Sequence, residues 1–197
     1  MKKNYKSHLM ALVEGAMMMA LAWALDFVCA LLPFNRIWIN GGGITIGMLP
    51  IVYYGFRRGP VWGVGAGLVF SGLQMLMGWY VPPANTWWAI LLCVLLDYVI
   101  AFSVLGVAEI FAKLFEKKHR LLGYGFGAVV VCLLRYICST LSGGILWGSY
   151  AFEGWNPWVY SIAYNGSYMI PNAIITAALA VLLCKAFDPK TLRPMKK

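Results

Sequence analysis

Charge is what this chain of 197 residues has least of: Asp, Glu, Lys and Arg make up 12% of it, and only seven residues are acidic. Soluble domains carry roughly 25%, so an ordinary soluble fold is excluded. Histidine is nearly absent too. His8 and His119 stand alone, no metal-ligand spacing is present, and no second carboxylate accompanies Asp97, which leaves intramembrane catalysis and a metal site without support. Ser139, Ser142 and Ser161 lack a general base, and serines within spans more often pack helices. The five cysteines, 29, 93, 132, 138 and 184, form no CxxC pair and read as small apolar packing residues rather than a disulfide or metal framework. There is no G-x-x-x-x-G-K-[ST] loop with which to use ATP. Nor is there an internal repeat of the kind on which two-halved carriers rock. If the chain moves a solute, partner subunits supply the energy. Period-two alternation is missing as well, which excludes a membrane β-barrel.

What is abundant is apolar surface. Hydrophobic residues make up 61% of the chain, and its mean hydropathy is +0.73. Six apolar runs follow one another, at about 8–32, 44–56, 60–80, 87–115, 121–147 and 157–185. Most exceed the ~20 residues a helix needs to cross a bilayer. The expectation is an all-α integral membrane protein, one domain over 1–197 with six transmembrane helices. The second run is short and follows Gly41-Gly42-Gly43, so it starts earlier, near Ile37, or it is tilted or partly re-entrant. Basic residues cluster at Lys2, Lys3 and Lys6, at Arg57 and Arg58, at Lys113, Lys117, Lys118 and Arg120, and at Lys185, Lys190, Arg193, Lys196 and Lys197. The alternate turns carry only Arg36. By the positive-inside rule, both termini and the two basic turns are cytoplasmic. Topology and contact with lipid phosphates account for the net charge of +9 without a nucleic-acid partner. The first run contains Glu14 and Asp26 and is too long for a signal-peptide core, so it reads as an uncleaved helix.

Within that frame a few residues stand out. In "EGAMMMALAWAL", Ala16, Ala20 and Ala24 recur every fourth residue and line one helix face. Small residues so spaced admit another helix closely, either a partner's or a neighbour in the same chain. Acids in spans are expensive and mark function or a partner. Glu14 and Asp26 lie toward opposite ends of helix 1, and Glu109 has lysines nearby. Asp97 differs. In "WWAILLCVLLDYVIAF" it falls ten residues after Trp87, about 15 Å into the helix. It either pairs with Arg135, comparably deep in the fifth run, or contacts a ligand beside Tyr98. The stretch "GGILWGSYAFEGWNPWVYSIAYNGSYMIP" supplies aromatic surface on the same outer side: Trp147, Trp155, Trp158, Tyr160, Tyr164 and Tyr168. An aromatic belt at headgroup level explains Trp155 and Trp158. It does not explain Asn165, whose amide two turns into a span needs protein or a cavity to meet its hydrogen bonds. Aromatic faces with one acid and one amide suit a flat, polar, positively charged ligand.

Over nearly its whole length the chain resembles the thiamine-specific substrate-binding subunits, or S-components, of energy-coupling factor (ECF) transporters, the ThiT/YuaJ family. "GMLPIVYYGFRRGPVWGVGAGL", "LLDYVIAF", "LLRYICSTLSGGILWGSYAFEGW" and "WVYSIAYNGSYMIP" carry the resemblance. It implies the six-helix S-component fold, an outward pocket for thiamine as transported ligand, no cofactor, no catalytic residue, and location in the bacterial plasma membrane. It also implies partners: a transmembrane coupling protein, contacted through Ala16, Ala20 and Ala24, and two ATPases. Carried over by position, the pocket acid falls on Asp97 with Tyr98 beside it, the stacking Trp on Trp147, and the polar contacts of helix 6 on Tyr160 and Asn165. An aromatic before helix 4 falls on Trp87, and a covering Trp after helix 1 on Trp38. The family's pocket histidine falls on Ser139, a departure that leaves a thiamine precursor or another flat cationic or heteroaromatic vitamin as the alternative ligand. A non-transporting membrane assembly subunit is the rival of a different class.

Overall fold

The computed structural model describes residues 2–39, 41–115 and 119–193. Lys117, Lys118, Lys196 and Lys197, and the side chains of Lys2, Lys3 and Lys6, all part of the topology expectation, lie outside the described residues. Six helices follow in order: α1 Lys2–Ala30, α2 Met48–Arg58, α3 Pro60–Met77, α4 Trp87–Phe115, α5 Arg120–Leu146 and α6 Pro157–Ala186. Short 3₁₀ turns at Pro33–Ile37 and Gly148–Tyr150 link some of them, and no strand occurs among the described residues. Among the described residues five helices are long and apolar enough to cross a membrane, and the chain is a multi-spanning membrane protein.

The second apolar run folds as the exception. Met48–Arg58 has 11 residues, about 16 Å at 1.5 Å per residue, against a hydrocarbon core of ~30 Å. The reason lies upstream: Gly41 and Gly42 hold φ of +95° and +83°, values that interrupt a right-handed helix, and the backbone stays irregular up to Gly47. What α2 lacks in length it recovers in burial. Met48, Ile51, Val52, Tyr54 and Phe56 are fully enclosed, so α2 forms the centre of the bundle.

Around it the helices approach closely where the sequence places glycine. A Cβ added to Gly63 of α3 would lie 2.2 Å from the Gly106 carbonyl oxygen of α4, so these helices cross backbone against backbone. Gly59 (φ +91°) stops α2 and Pro60 starts α3, the C-terminal Gly and N-terminal Pro that a tight helix–helix turn favours. On α1, Ala11, Met19 and Ala22 face inward, and the Tyr54 hydroxyl donates to the Ala11 carbonyl at 2.7 Å past the bare Gly15. Ala16, Ala20 and Ala24 sit on the exposed side of α1, where no helix among the described residues covers them.

One end of the bundle holds its ion pairs. Glu14 meets Arg57 and Arg58 at 2.7 and 2.6 Å, Glu109 meets Lys190 and Lys113 at 2.6 and 3.4 Å, and Arg120 meets Asp188 at 3.1 Å. The turn after α6 is drawn into this cluster, with Arg57 donating to the Pro189 carbonyl and Tyr53 to that of Phe187. The other end, where α1, α3 and α5 finish and α4 and α6 begin, holds the cavity.

Candidate functional site

A cavity of about 430 Å³ opens among α1, α3, α4, α5, α6 and the irregular segment before α2, within the size range of small-molecule sites. Its acid comes from an unusual piece of helix. Val94–Val99 of α4 winds as a π-helix, a wider turn that inserts a residue and re-aims side chains, often at functional sites. Asp97 lies in that turn. Its Oδ2 accepts from the Ser142 hydroxyl of α5 and from the Cys93 thiol at 3.4 Å, and the Trp147 side chain also interacts with it. Tyr98, next in the same turn, accepts at its hydroxyl from the Tyr80 backbone N–H at 3.3 Å, tying the α3–α4 loop to the wall.

Arg135 also lines the cavity, but among the described residues no ion pair joins it to Asp97. Its guanidinium lies 4.2 Å over the Phe102 ring instead, and its Nε is buried without a hydrogen-bond partner. The aromatic face of Phe102 holds the cation, and three neutral side chains, Ser142, Cys93 and Trp147, hold the acid.

The aromatic wall is built from α6 and the end of α5. Tyr160 and Tyr164 stack with centroids 5.6 Å apart, Tyr164 meets Tyr168 edge-on at 6.2 Å, and Trp147 leans on Tyr150 at 5.8 Å. Helical spacing of four produces this ladder. Asn165 is heavily engaged: its Nδ2 donates to the Ser161 carbonyl at 3.0 Å and the Ser139 carbonyl at 3.3 Å, while its Oδ1 accepts from Tyr168. It thus joins α5 to α6 and orients Tyr168, and one lone pair of its carbonyl oxygen is left for another donor.

The irregular segment forms the remaining wall, and side-chain amides satisfy its backbone. Asn35 accepts from the Ile44 N–H at 2.8 Å and donates to the carbonyls of Ile44 and Cys29 at 2.8 and 2.7 Å. Asn172, halfway along α6, accepts from the Thr45 N–H and donates to the Gly43 carbonyl, both at 2.8 Å. Tyr164 donates to the Gly41 carbonyl at 2.9 Å. Non-helical backbone at membrane depth survives only with such partners. Trp38 closes the same side, its indole N–H donating to Ser167 Oγ at 2.7 Å and its ring edge-on to Tyr168 at 6.2 Å.

Of the eight expected site residues, Asp97, Tyr98, Trp147, Tyr160, Asn165, Ser139 and Trp38 line this one cavity. Trp87 does not. As the first residue of α4 it is 78% exposed, and six residues before Cys93 it points about 120° away from that cavity-lining position. Asp26, Gln74, Asn35 and Arg135 are on the wall without having been singled out as ligand contacts. Asp26 was readable: it continues the inward spacing Ala11, Gly15, Ala22, Asp26 of α1, which a reading centred on the exposed alanine face passes over. Among the described residues no group of His, Cys, Asp and Glu forms a metal site.

A family model described as "Thiamine transporter protein (Thia_YuaJ)" matches residues 12–192. The thiamine transporter ThiT of Bacillus subtilis (strain 168) is 34% identical over 202 residues, spanning 98% of this chain and 99% of its own. The thiamine transporter ThiT of Lacticaseibacillus paracasei is 27% identical over 187 residues, with 89% and 87% covered. A solved structure of ThiT from Listeria monocytogenes superposes with a TM-score of 0.72 at 24% identity, covering 91% of this chain and 96% of that one. That last likeness speaks to the fold alone.

Proposed function

Because the chain belongs to the ThiT/YuaJ family of thiamine transporter proteins, a family of S-components without catalytic activity of their own, we propose that it binds thiamine. It does so from outside the bacterial plasma membrane, as the substrate-binding subunit of an ECF importer. The observation that carries this reading is the convergence of Asp97, Trp147 and the Tyr160–Tyr164 stack on one cavity of about 430 Å³. Thiamine is two flat rings, one cationic and one bearing an amino group, and it asks for aromatic faces and an acceptor. The aminopyrimidine stacks on Trp147 and donates to Asp97. The thiazolium lies among the tyrosines, and Asn165 holds Tyr168 and Ser139 in register around them.

Energy enters through partners. A transmembrane coupling protein packs against the exposed Ala16, Ala20 and Ala24 face, and two ATPases drive it. The termini and the ion-paired end face the cytoplasm, which leaves the cavity opening outward.

One observation favours a second ligand. Ser139 lines the cavity at the position where the family resemblance implies a histidine, so a thiamine precursor or another flat heteroaromatic vitamin gains room that an imidazole would fill. Titration of detergent-purified protein, followed by tryptophan fluorescence, separates these. Saturable quenching at submicromolar thiamine, weakened about a hundredfold or more in Asp97→Asn and Trp147→Ala, is the expected result. Tighter binding of the isolated pyrimidine or thiazole piece would move the assignment to a precursor. No saturable response in folded protein would leave the assembly-subunit reading.

A further inference from the structure

Among the described residues three charged side chains line the cavity, Asp26, Asp97 and Arg135, which together carry a net charge of −1 when all are ionised. The placement of that charge is uneven. Asp97 shares its surroundings with Arg135, whose charge acts on it across the cavity without a direct contact, and it already has three neutral partners, Ser142, Cys93 and Trp147. Asp26 has one neutral donor, the Gln74 amide at its Oδ2, and among the described residues no cation lies within ion-pairing distance of it. Among the described residues no donor reaches its Oδ1.

The local structure keeps the acid facing this way. A Cβ on Gly47 would fall 2.9 Å from the Asp26 Cβ, so the residue is wedged against the start of α2. The partial positive charge at that helix start favours an ionised carboxylate without neutralising it. Gln74, from α3, fixes the carboxylate plane and brings no charge of its own. A lysine there would have quenched the site.

We infer that Asp26, oriented by Gln74, is the counter-charge for the cationic ring of the ligand, and that Asp97 serves the ligand's neutral hydrogen-bonding ring. This rests on the thiamine reading and deepens it by dividing the two acids between the two rings. A carboxylate in a membrane-embedded cavity is expensive without a partner. A monocationic ligand brings the cavity to neutrality at the acid that lacks one, and specificity for a cation over a neutral look-alike follows from Asp26 rather than from the aromatic wall.

The test compares thiamine with its uncharged isostere, in which a thiophene replaces the thiazolium, by fluorescence titration of the unmodified full-length protein and of Asp26→Asn. Thiamine affinity is expected to fall about tenfold or more, the scale of a lost charge-assisted contact, while the isostere changes less than about twofold. The isostere reports folding in the same tube. Equal losses for both compounds, or an unchanged thiamine affinity, overturn the assignment. If Asp26→Asn binds neither compound, Asp26→Glu decides: a preserved preference for thiamine over the isostere supports the assignment, and a lost preference overturns it. Absence of saturation by either compound in unmodified protein overturns the thiamine reading and this assignment together. Binding there with equal losses in the variant overturns the assignment alone.

Discussion

Asn172 is 1% exposed and holds two backbone groups of a segment that has no helix of its own to satisfy them. Asn172→Ala removes the side-chain partner of the half-buried Thr45 N–H and Gly43 carbonyl. Two such orphans are expected to destabilise the fold by about 2–5 kcal/mol and to weaken ligand binding as well, because Gly43 and Thr45 line the cavity. Thermal unfolding in detergent with and without thiamine measures both, and an unchanged midpoint would show that the segment is anchored elsewhere. The same scale explains what could be read from single residues beforehand. Asp97 declared itself by its depth in an apolar run. Asp26, equally charged, looked like an interfacial residue because it lies one turn from the end of its helix. Trp87 matched an aromatic position by order along the chain, but order does not set the angle at which a helix presents a side chain.

At the scale of elements, α1 shows two faces with different uses. One carries Ala11, Gly15 and Ala22 into the core, and the other leaves Ala16, Ala20 and Ala24 exposed between larger apolar residues such as Val13, Met17 and Leu21. Ala20→Trp fills no space inside this chain, so its folding and thiamine affinity are expected to stay within about 0.5 kcal/mol of the unmodified protein. If the proposed coupling protein packs on this face, copurification with it and ATP-dependent uptake are lost together. Uptake that persists would move the partner's contact to another face. The long helices α3 to α6 were legible from hydrophobic run length alone, to within a few residues. The broken second span was only half legible. Three glycines announced an interruption, but what makes it tolerable in a membrane is a pair of amides, Asn35 and Asn172, one of them more than a hundred residues away. No local pattern carries that information. The π-turn around Asp97 was invisible for a similar reason, since its sequence reads as ordinary helix.

The whole molecule is polarised. Its ion pairs gather at the end where α2 and α6 finish, and its aromatic cavity occupies the other. Charge bias across a membrane then fixes which end faces which compartment. Reporter domains fused at either terminus are expected to be shielded in intact cells from membrane-impermeant reagents, while such reagents reach a cysteine placed at the exposed Phe152 near the cavity mouth. Labelling of a terminus from outside would invert the topology and with it the direction of binding. The network that joins Glu14, Arg57 and Arg58 to the turn after α6 ties the ion-paired end together. Among the described residues no ion pair braces the end that holds the cavity.

Gly42 contributes no side chain to any of this, yet a Cβ there would lie 2.5 Å from the Tyr168 ring, at a φ of +83°. Every missense codon at that position adds the forbidden carbon. A side chain at this cavity-lining position therefore meets both a strained backbone and a ring already in its place. Its freedom to vary belongs to its neighbour, and the inheritance of a residue can be written in the ring that faces it.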